Sequence, residues 1–132
     1  MTRLFVDTSA LVALAFQEPG HRWVGEWLNS ASDLFASPLL EAEFRAVLQR
    51  EEAENGLELL EAFRWVLPDR ALSAELDRVF AAGYARGADA WHLATALFLG
   101  ERPGDLPFLT LDQRQQEVAG ALGFAIPHAP EG

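Results

Sequence analysis

Leu4-Phe5-Val6-Asp7-Thr8-Ser9-Ala10-Leu11 is the stretch that decides the fold class. Three consecutive apolar residues ending at an aspartate read as a short strand buried on both faces, the pattern of a parallel sheet. Thr8 and Ser9 are good capping residues, so the apolar segment Ala10 to Phe16 reads as a helix leaving the strand's carboxyl end. Glu18-Pro19-Gly20 then stops that helix. A strand that feeds a helix is the opening of a βαβ series.

The rest of the chain repeats the theme. Trp23, Val24, Trp27 and Leu28 fall at helical spacing between His21 and Asn29, and Leu34-Phe35-Ala36 reads as a second strand ended by Ser37-Pro38. A long helix is predicted from Leu39 to Glu54, with further helices over Leu57 to Val66, Leu72 to Tyr84, Asp89 to Leu99 and Gln113 to Leu122. Phe108-Leu109 and Phe124-Ala125-Ile126 read as the last strands, before a frayed tail. Short apolar strands alternating with helices predict an α/β fold, a central parallel β-sheet of four to five short strands flanked by helices. In such sheets sites form outside the carboxyl ends of the strands, which directs attention to Asp7 and to Thr110 to Asp112.

The 132 residues suffice for one core, and with no repeat or linker the chain reads as a single domain, residues 1–132 with a core of about 3–127. There are no cysteines, which excludes disulfides, thiolate nucleophiles and cysteine-bound zinc. The basic residues are ten arginines and no lysine, set against twenty acids for a net charge of −10. Absence of lysine removes the P-loop, and the charge has the wrong sign for gripping nucleic acid by bulk electrostatics. The apolar run Ala10 to Phe16 is too short to span a membrane and follows an acid rather than a basic segment, so a cytoplasmic location without membrane association is expected.

Four carboxylates stand out. Asp7 ends a strand, where a capping or turn aspartate is the bland alternative. Glu43 has Leu39, Leu40, Ala46 and Val47 as helical neighbours and so projects from the apolar stripe, the alternative being a stripe-edge side chain that reaches out to water. Glu41, with Arg45 four residues on, reads as a solvated ion pair. Asp89 and Asp112 each stand at a helix start and, singly, read as caps, Asp112 with Gln115 forming a capping-box variant. Together the four can reach one edge of the sheet. Acids so placed repel one another unless a cation intervenes, and an all-oxygen donor set without cysteine suits a hard divalent ion, magnesium above all. Such a site can hydrolyse a phosphodiester. Spacing does not single out RNA.

The segments holding these acids resemble the PIN-domain nucleases, and especially the VapC-type ribonuclease toxins of toxin–antitoxin pairs. The opening stretch resembles that family's first-strand motif, and Ala42-Glu43-Phe44-Arg45-Ala46-Val47-Leu48 its internal glutamate helix. Gly87-Ala88-Asp89-Ala90-Trp91-His92-Leu93-Ala94-Thr95-Ala96 is the most specific match, although Trp91 stands where a smaller residue is usual. Phe108-Leu109-Thr110-Leu111-Asp112, with Ala119 and Leu122-Gly123-Phe124 downstream, resembles the closing unit. The resemblance spans about residues 3 to 127. It implies an endoribonuclease in which Asp7, Glu43, Asp89 and Asp112 bind magnesium or manganese. Thr8, Ser9 and Thr110 would be polar residues that support the acids or position water. It also implies a homodimer, an RNA substrate and a cognate antitoxin covering the acidic site.

His92, one turn after Asp89, is more often a satisfied core histidine in such a helix, the sharper reading being contact with an acid or with substrate. Trp23, Trp27, Trp65 and Trp91 read as core or dimer interface rather than base-stacking platforms. Arg45, Arg50 and Arg64 form a candidate cationic stripe, against the simpler reading of a solvated face. Three alternatives stay open: an RNA-processing nuclease of the same family without an antitoxin, a non-catalytic binding module, and an aspartyl-phosphate enzyme. The missing lysine argues against the last of these.

Overall fold

Leu4 and Val6 turn to one side of the sheet and Phe5 to the other, and this alternation builds two cores instead of one. In the computed structural model, which describes residues 2–100 and 102–130, all three side chains are completely buried. They lie on β1 (Arg3–Val6), which is followed by α1 (Thr8–Ala15), α2 (His21–Ser30), β2 (Asp33–Ala36) and α3 (Pro38–Arg50). After a 3-10 turn at Leu57–Ala62 come β3 (Phe63–Trp65), α4 (Ser73–Ala82), α5 (Gly87–Leu99), β4 (Phe108–Leu109) and α6 (Gln113–Ala121). The tail expected to fray is described only to residue 130.

The four strands are parallel in the order β3-β2-β1-β4. From β1 the chain steps outward through β2 to β3, then crosses back to place β4 on β1's other side. The reversal between β1 and β4 opens a crevice at the strands' carboxyl ends, where ligands bind in such sheets. Leu4, Val6 and Leu109 pack against Ala10 and Leu11 of α1, Val24 of α2 and Leu40 and Phe44 of α3. Phe5 and Phe108, stacked with ring centres 5.5 Å apart, pack against Val79 of α4, Leu93 and Ala94 of α5 and Val118 of α6. The result is the expected α/β fold, helices over both faces of a parallel sheet. Among the described residues no helix is long and apolar enough to cross a membrane.

Two expectations need correction. Leu57 to Val66 is not one helix, because its second half is drafted into the sheet as edge strand β3, with Leu34 opposite Phe63 and Ala36 opposite Trp65. An apolar run of that length suits either element, and pairing with β2 decides it. Trp65 therefore sits on a strand, its ring stacked on that of Phe63 at 5.7 Å. Phe124 to Ile126 forms no strand. Ala125 accepts one backbone bond from Phe108 (2.9 Å) and Phe124 packs on the Phe108 ring, but Pro127 cannot donate and the ladder does not extend. Trp91 is accommodated half-buried beside the α4–α6 core.

Candidate active site

The crevice is lined first by Asp7, directly after β1. Val6 lies opposite Leu109, and the Asp7 N–H donates to the Leu109 carbonyl at 2.9 Å, so Thr110 comes to rest beside Asp7. The Asp7 carboxylate is nearly buried, and its Oδ2 accepts the hydroxyls of Ser9 (2.9 Å) and Thr110 (2.8 Å). A hydroxyl carries one proton, and here both protons point at Asp7. The two hydroxyl oxygens, 3.0 Å apart, in turn accept the backbone N–H groups of Leu111 (3.0 Å) and Asp112 (3.1 Å). This network locks the start of the β4–α6 loop to Asp7.

Thr8 and Ser9 do not cap α1. Both lie inside its first turn, the N-cap position belongs to Asp7, and that residue makes no side-chain capping bond. Their hydroxyls serve the crevice instead. Thr8 donates to Glu43 Oε1 at 2.7 Å.

Glu43 reaches the crevice from α3, flanked there by the buried Leu40 and Phe44. The same Oε1 accepts a second bond, 2.6 Å, from Nε2 of His92 on α5. That nitrogen lies 3.3 Å from the Thr8 hydroxyl and 3.8 Å from Asp7 Oδ1. His92 is completely buried, and its Nδ1 has no hydrogen-bond partner. It is thus a core histidine and an acid's partner at once. The His92 bond, opposed by partial burial, holds the Glu43 carboxyl below its ordinary range. For His92, burial favours the neutral ring, but the Glu43 bond and the charges of Asp7, Glu43 and Asp89 outweigh it and raise its pKa.

Asp89 is the third residue of α5 and half-buried. Its pKa is raised, first by lost hydration and then by the negative charges of Asp7, Asp112 and Glu43, with His92 opposing. All four acids named from sequence therefore lie near enough to one another for their charges to bear on Asp89. Asp112 also keeps the bland role foreseen for it, capping α6 by accepting the Gln115 N–H at 3.0 Å while remaining exposed. Gln115 itself was not foreseen as more than a capping-box residue. It is buried, and its side-chain amide donates to the Asp89 carbonyl at 2.9 Å, pinning the start of α6 to the start of α5. Gln116 does the same for the Thr110 carbonyl, also at 2.9 Å. The spacing of Gln115 to the apolar Val118 and Ala119 was the available signal that it faces inward.

Among the described residues no group of three Asp, Glu or His side chains stands as a ready-made metal cage. The donor chemistry nonetheless suits a hard cation: the four acids offer only oxygen, and the like-charge pressure on Asp89 is relieved by an added positive charge. Magnesium, which keeps several of its waters, does not demand an all-protein cage. The proposed cationic stripe is a different matter. Arg45, Arg50 and Arg64 are paired at the surface with Glu41 (2.7 Å), Glu51 (3.1 Å) and Asp33 (2.9 Å) respectively, which fits the simpler reading of a solvated face.

A family model described as PIN domain matches residues 4–121. The chain is 34% identical over 138 residues to Ribonuclease VapC46 of Mycobacterium tuberculosis strain ATCC 25618 / H37Rv, covering 96% of this chain and 97% of that one. It is 33% identical over 132 residues to Ribonuclease VapC35 of M. tuberculosis strain CDC 1551 / Oshkosh, covering 93% and 94% respectively.

Proposed function

The chain belongs to the PIN-domain family, and from that premise we propose that it is a metal-dependent endoribonuclease, one PIN-like domain that hydrolyses RNA phosphodiester bonds at the Asp7–Glu43–Asp89–Asp112 edge. The observation that carries the reading is the convergence of acids on buried His92. Its Nε2 lies 2.6 Å from Glu43 and 3.8 Å from Asp7, on the helix that also bears Asp89, whose pKa is raised by lost hydration and then by its negative neighbours. Structural acids are normally paired with arginine, as Glu41 is with Arg45. An edge that concentrates negative charge is built for a cation.

The residues divide the work. Asp7 is oriented by Ser9 and Thr110 through Oδ2, which leaves Oδ1 toward His92 and the crevice. Glu43 is held through Oε1 by Thr8 and His92. Asp89 is fixed in place by its helix and by the Gln115 bond to its carbonyl, and Asp112 by its capping bond. Magnesium or manganese held by these oxygens would orient the attacking water, lower its pKa and offset charge on the leaving oxygen.

The ribonuclease names of the similar proteins support RNA as the substrate. By the same likeness we read the chain as the cytoplasmic, homodimeric toxin of a toxin–antitoxin pair, whose partner lays a basic segment over the acidic edge. An antitoxin bound far from Asp7 and Asp89 would overturn that detail. The deciding experiment is cleavage of a mixed RNA pool by the purified chain with magnesium or manganese, with EDTA, and with Asp7→Asn. Metal-dependent cleavage that vanishes in Asp7→Asn is the expected result. RNA binding with no turnover under any metal would favour a non-catalytic module.

A further inference from the structure

An acidic protein with an acidic site must still hold a polyanion, and the arginines show where. Four of the ten are engaged by carboxylates: Arg45, Arg50, Arg64 and Arg70, the last by Glu75 at 2.5 Å. Of the other six, Arg114 is set apart by an exposed aromatic ring beneath it. Among the described residues it has no carboxylate partner, and its guanidinium lies over the ring of Tyr84, 5.3 Å from the centre. Tyr84 is itself 66% exposed, a large aromatic surface left in water.

The two residues come from the segments that carry the acids. Tyr84 lies in the connection between α4 and α5, five residues before Asp89; Arg114 lies in the first turn of α6, two residues after Asp112. The Gln115 bond to the Asp89 carbonyl fastens these segments together, so the Tyr84–Arg114 pair sits on the same tied segments that carry Asp89 and Asp112. Arg86, exposed at the N-cap position of α5, borders it and also lacks a carboxylate partner among the described residues.

Resting on the ribonuclease reading, we propose that Tyr84 and Arg114, with Arg86 beside them, are the dock for the RNA strand next to the acidic edge. One face of the Tyr84 ring is taken by the guanidinium, and an unstacked base lies on its remaining exposed surface. Arg114 and Arg86 meet the phosphates that flank that base. An aromatic ring accepts any base, and a guanidinium stacked on it adds charge without closing the surface. Single-stranded RNA is the form that presents such bases.

The test is fluorescence anisotropy of a labelled, mixed-sequence single-stranded RNA with the full chain carrying Asp7→Asn, in magnesium, across a salt series. Adding Tyr84→Ala should weaken binding roughly 10-fold, the loss of about one stacked base. Adding Arg114→Gln should reduce the slope of log Kd against log salt by about 0.7, one phosphate contact to a single strand. Arg102→Gln, at the opposite end of α5, should change neither. In the cleaving chain Tyr84→Ala should raise KM and leave kcat nearly unchanged. RNA affinity unmoved by Tyr84→Ala and Arg114→Gln overturns the dock and leaves the pair a clamp between α4 and α6. Equal losses from Arg102→Gln overturn it too, since binding would then follow bulk charge. If Asp7→Asn binds no RNA and the wild-type chain cleaves none, the ribonuclease reading itself has failed.

Discussion

Cutting His92 back to alanine should destabilise the metal-free protein by about 3.5–6.5 kcal/mol, and about 1.5 kcal/mol of that should disappear when Glu43 is already gone. The larger figure combines two losses. His92 is completely buried, so its removal leaves a cavity, and large-to-alanine changes in cores cost about 2–5 kcal/mol. Its 2.6 Å bond to Glu43 joins a ring of raised pKa to a carboxylate, a charge-assisted bond worth about 1.5–3 kcal/mol. Glu43 keeps Thr8 and is about a third exposed, so water can replace part of what it loses, which places the shared energy at the lower end. The assay is a double-mutant cycle, His92→Ala with Glu43→Ala, read from urea midpoints at unchanged m in EDTA. The coupling also has a pH signature. Glu43 is depressed from 4.5, so its share is complete above that value and fades as pH falls through its lowered pKa. His92 is raised from 6.5, so its share is complete below that value and is lost as pH climbs through its raised pKa. The coupling should therefore plateau between pH 4.5 and 6.5 and decline on both sides. A coupling under about 0.5 kcal/mol, or one flat with pH, would refute the reasoning.

Asp89→Asn should stabilise the chain in EDTA and abolish metal-dependent cleavage, because the charged form of Asp89 is disfavoured in the fold; a lower melting temperature in EDTA would contradict this. Thr110→Val removes one of the hydroxyls that hold Asp7 Oδ2 and the acceptor for the Asp112 N–H. Turnover or metal affinity should fall roughly 10- to 100-fold in that variant, as when other supports of a metal ligand are removed, and isothermal titration with manganese would show the change without any RNA present.

The fold was legible because strands buried on both faces leave continuous apolar runs, as Leu4 to Val6 does, and because helices between them are stopped by Pro and Gly. β3 was not, since the apolar pattern of Leu57 to Val66 serves a helix as well as a strand, and only its pairing with β2 settles the matter. The positions of the acids could be read, as each follows a strand or starts or lines a helix. Their partners could be read only in part: the family resemblance pointed to Thr8, Ser9 and Thr110, and His92 stood as one candidate partner of an acid, but which acid each would hold was not in the spacing. The bond from His92 to Glu43 joins residues 49 apart, on helices that cover opposite faces of the sheet, and local spacing carries no trace of it. Thr8 and Ser9 misled for a related reason: a hydroxyl at a helix start has a local use, and here the tertiary one wins. The arginines near Glu43 suggested a binding stripe until their carboxylate partners came into view.

The bond between Thr110 and Asp7 spans 103 residues, and the contact between Thr8 and His92 spans 84. On the ribosome, β1 through α3 emerge long before either partner exists. At roughly 5–20 residues per second Asp7, which has Ser9 beside it from the start, waits about 5–20 s for its second hydroxyl donor. Strand β4 must then insert beside β1 before Asp7 is held on both sides. A chain whose synthesis stops before Thr110 therefore carries Asp7, Glu43 and Asp89 without the strand that closes the crevice around them. Such a copy would lack both the Thr110 hydroxyl that Asp7 accepts and the acceptor that holds the Asp112 amide.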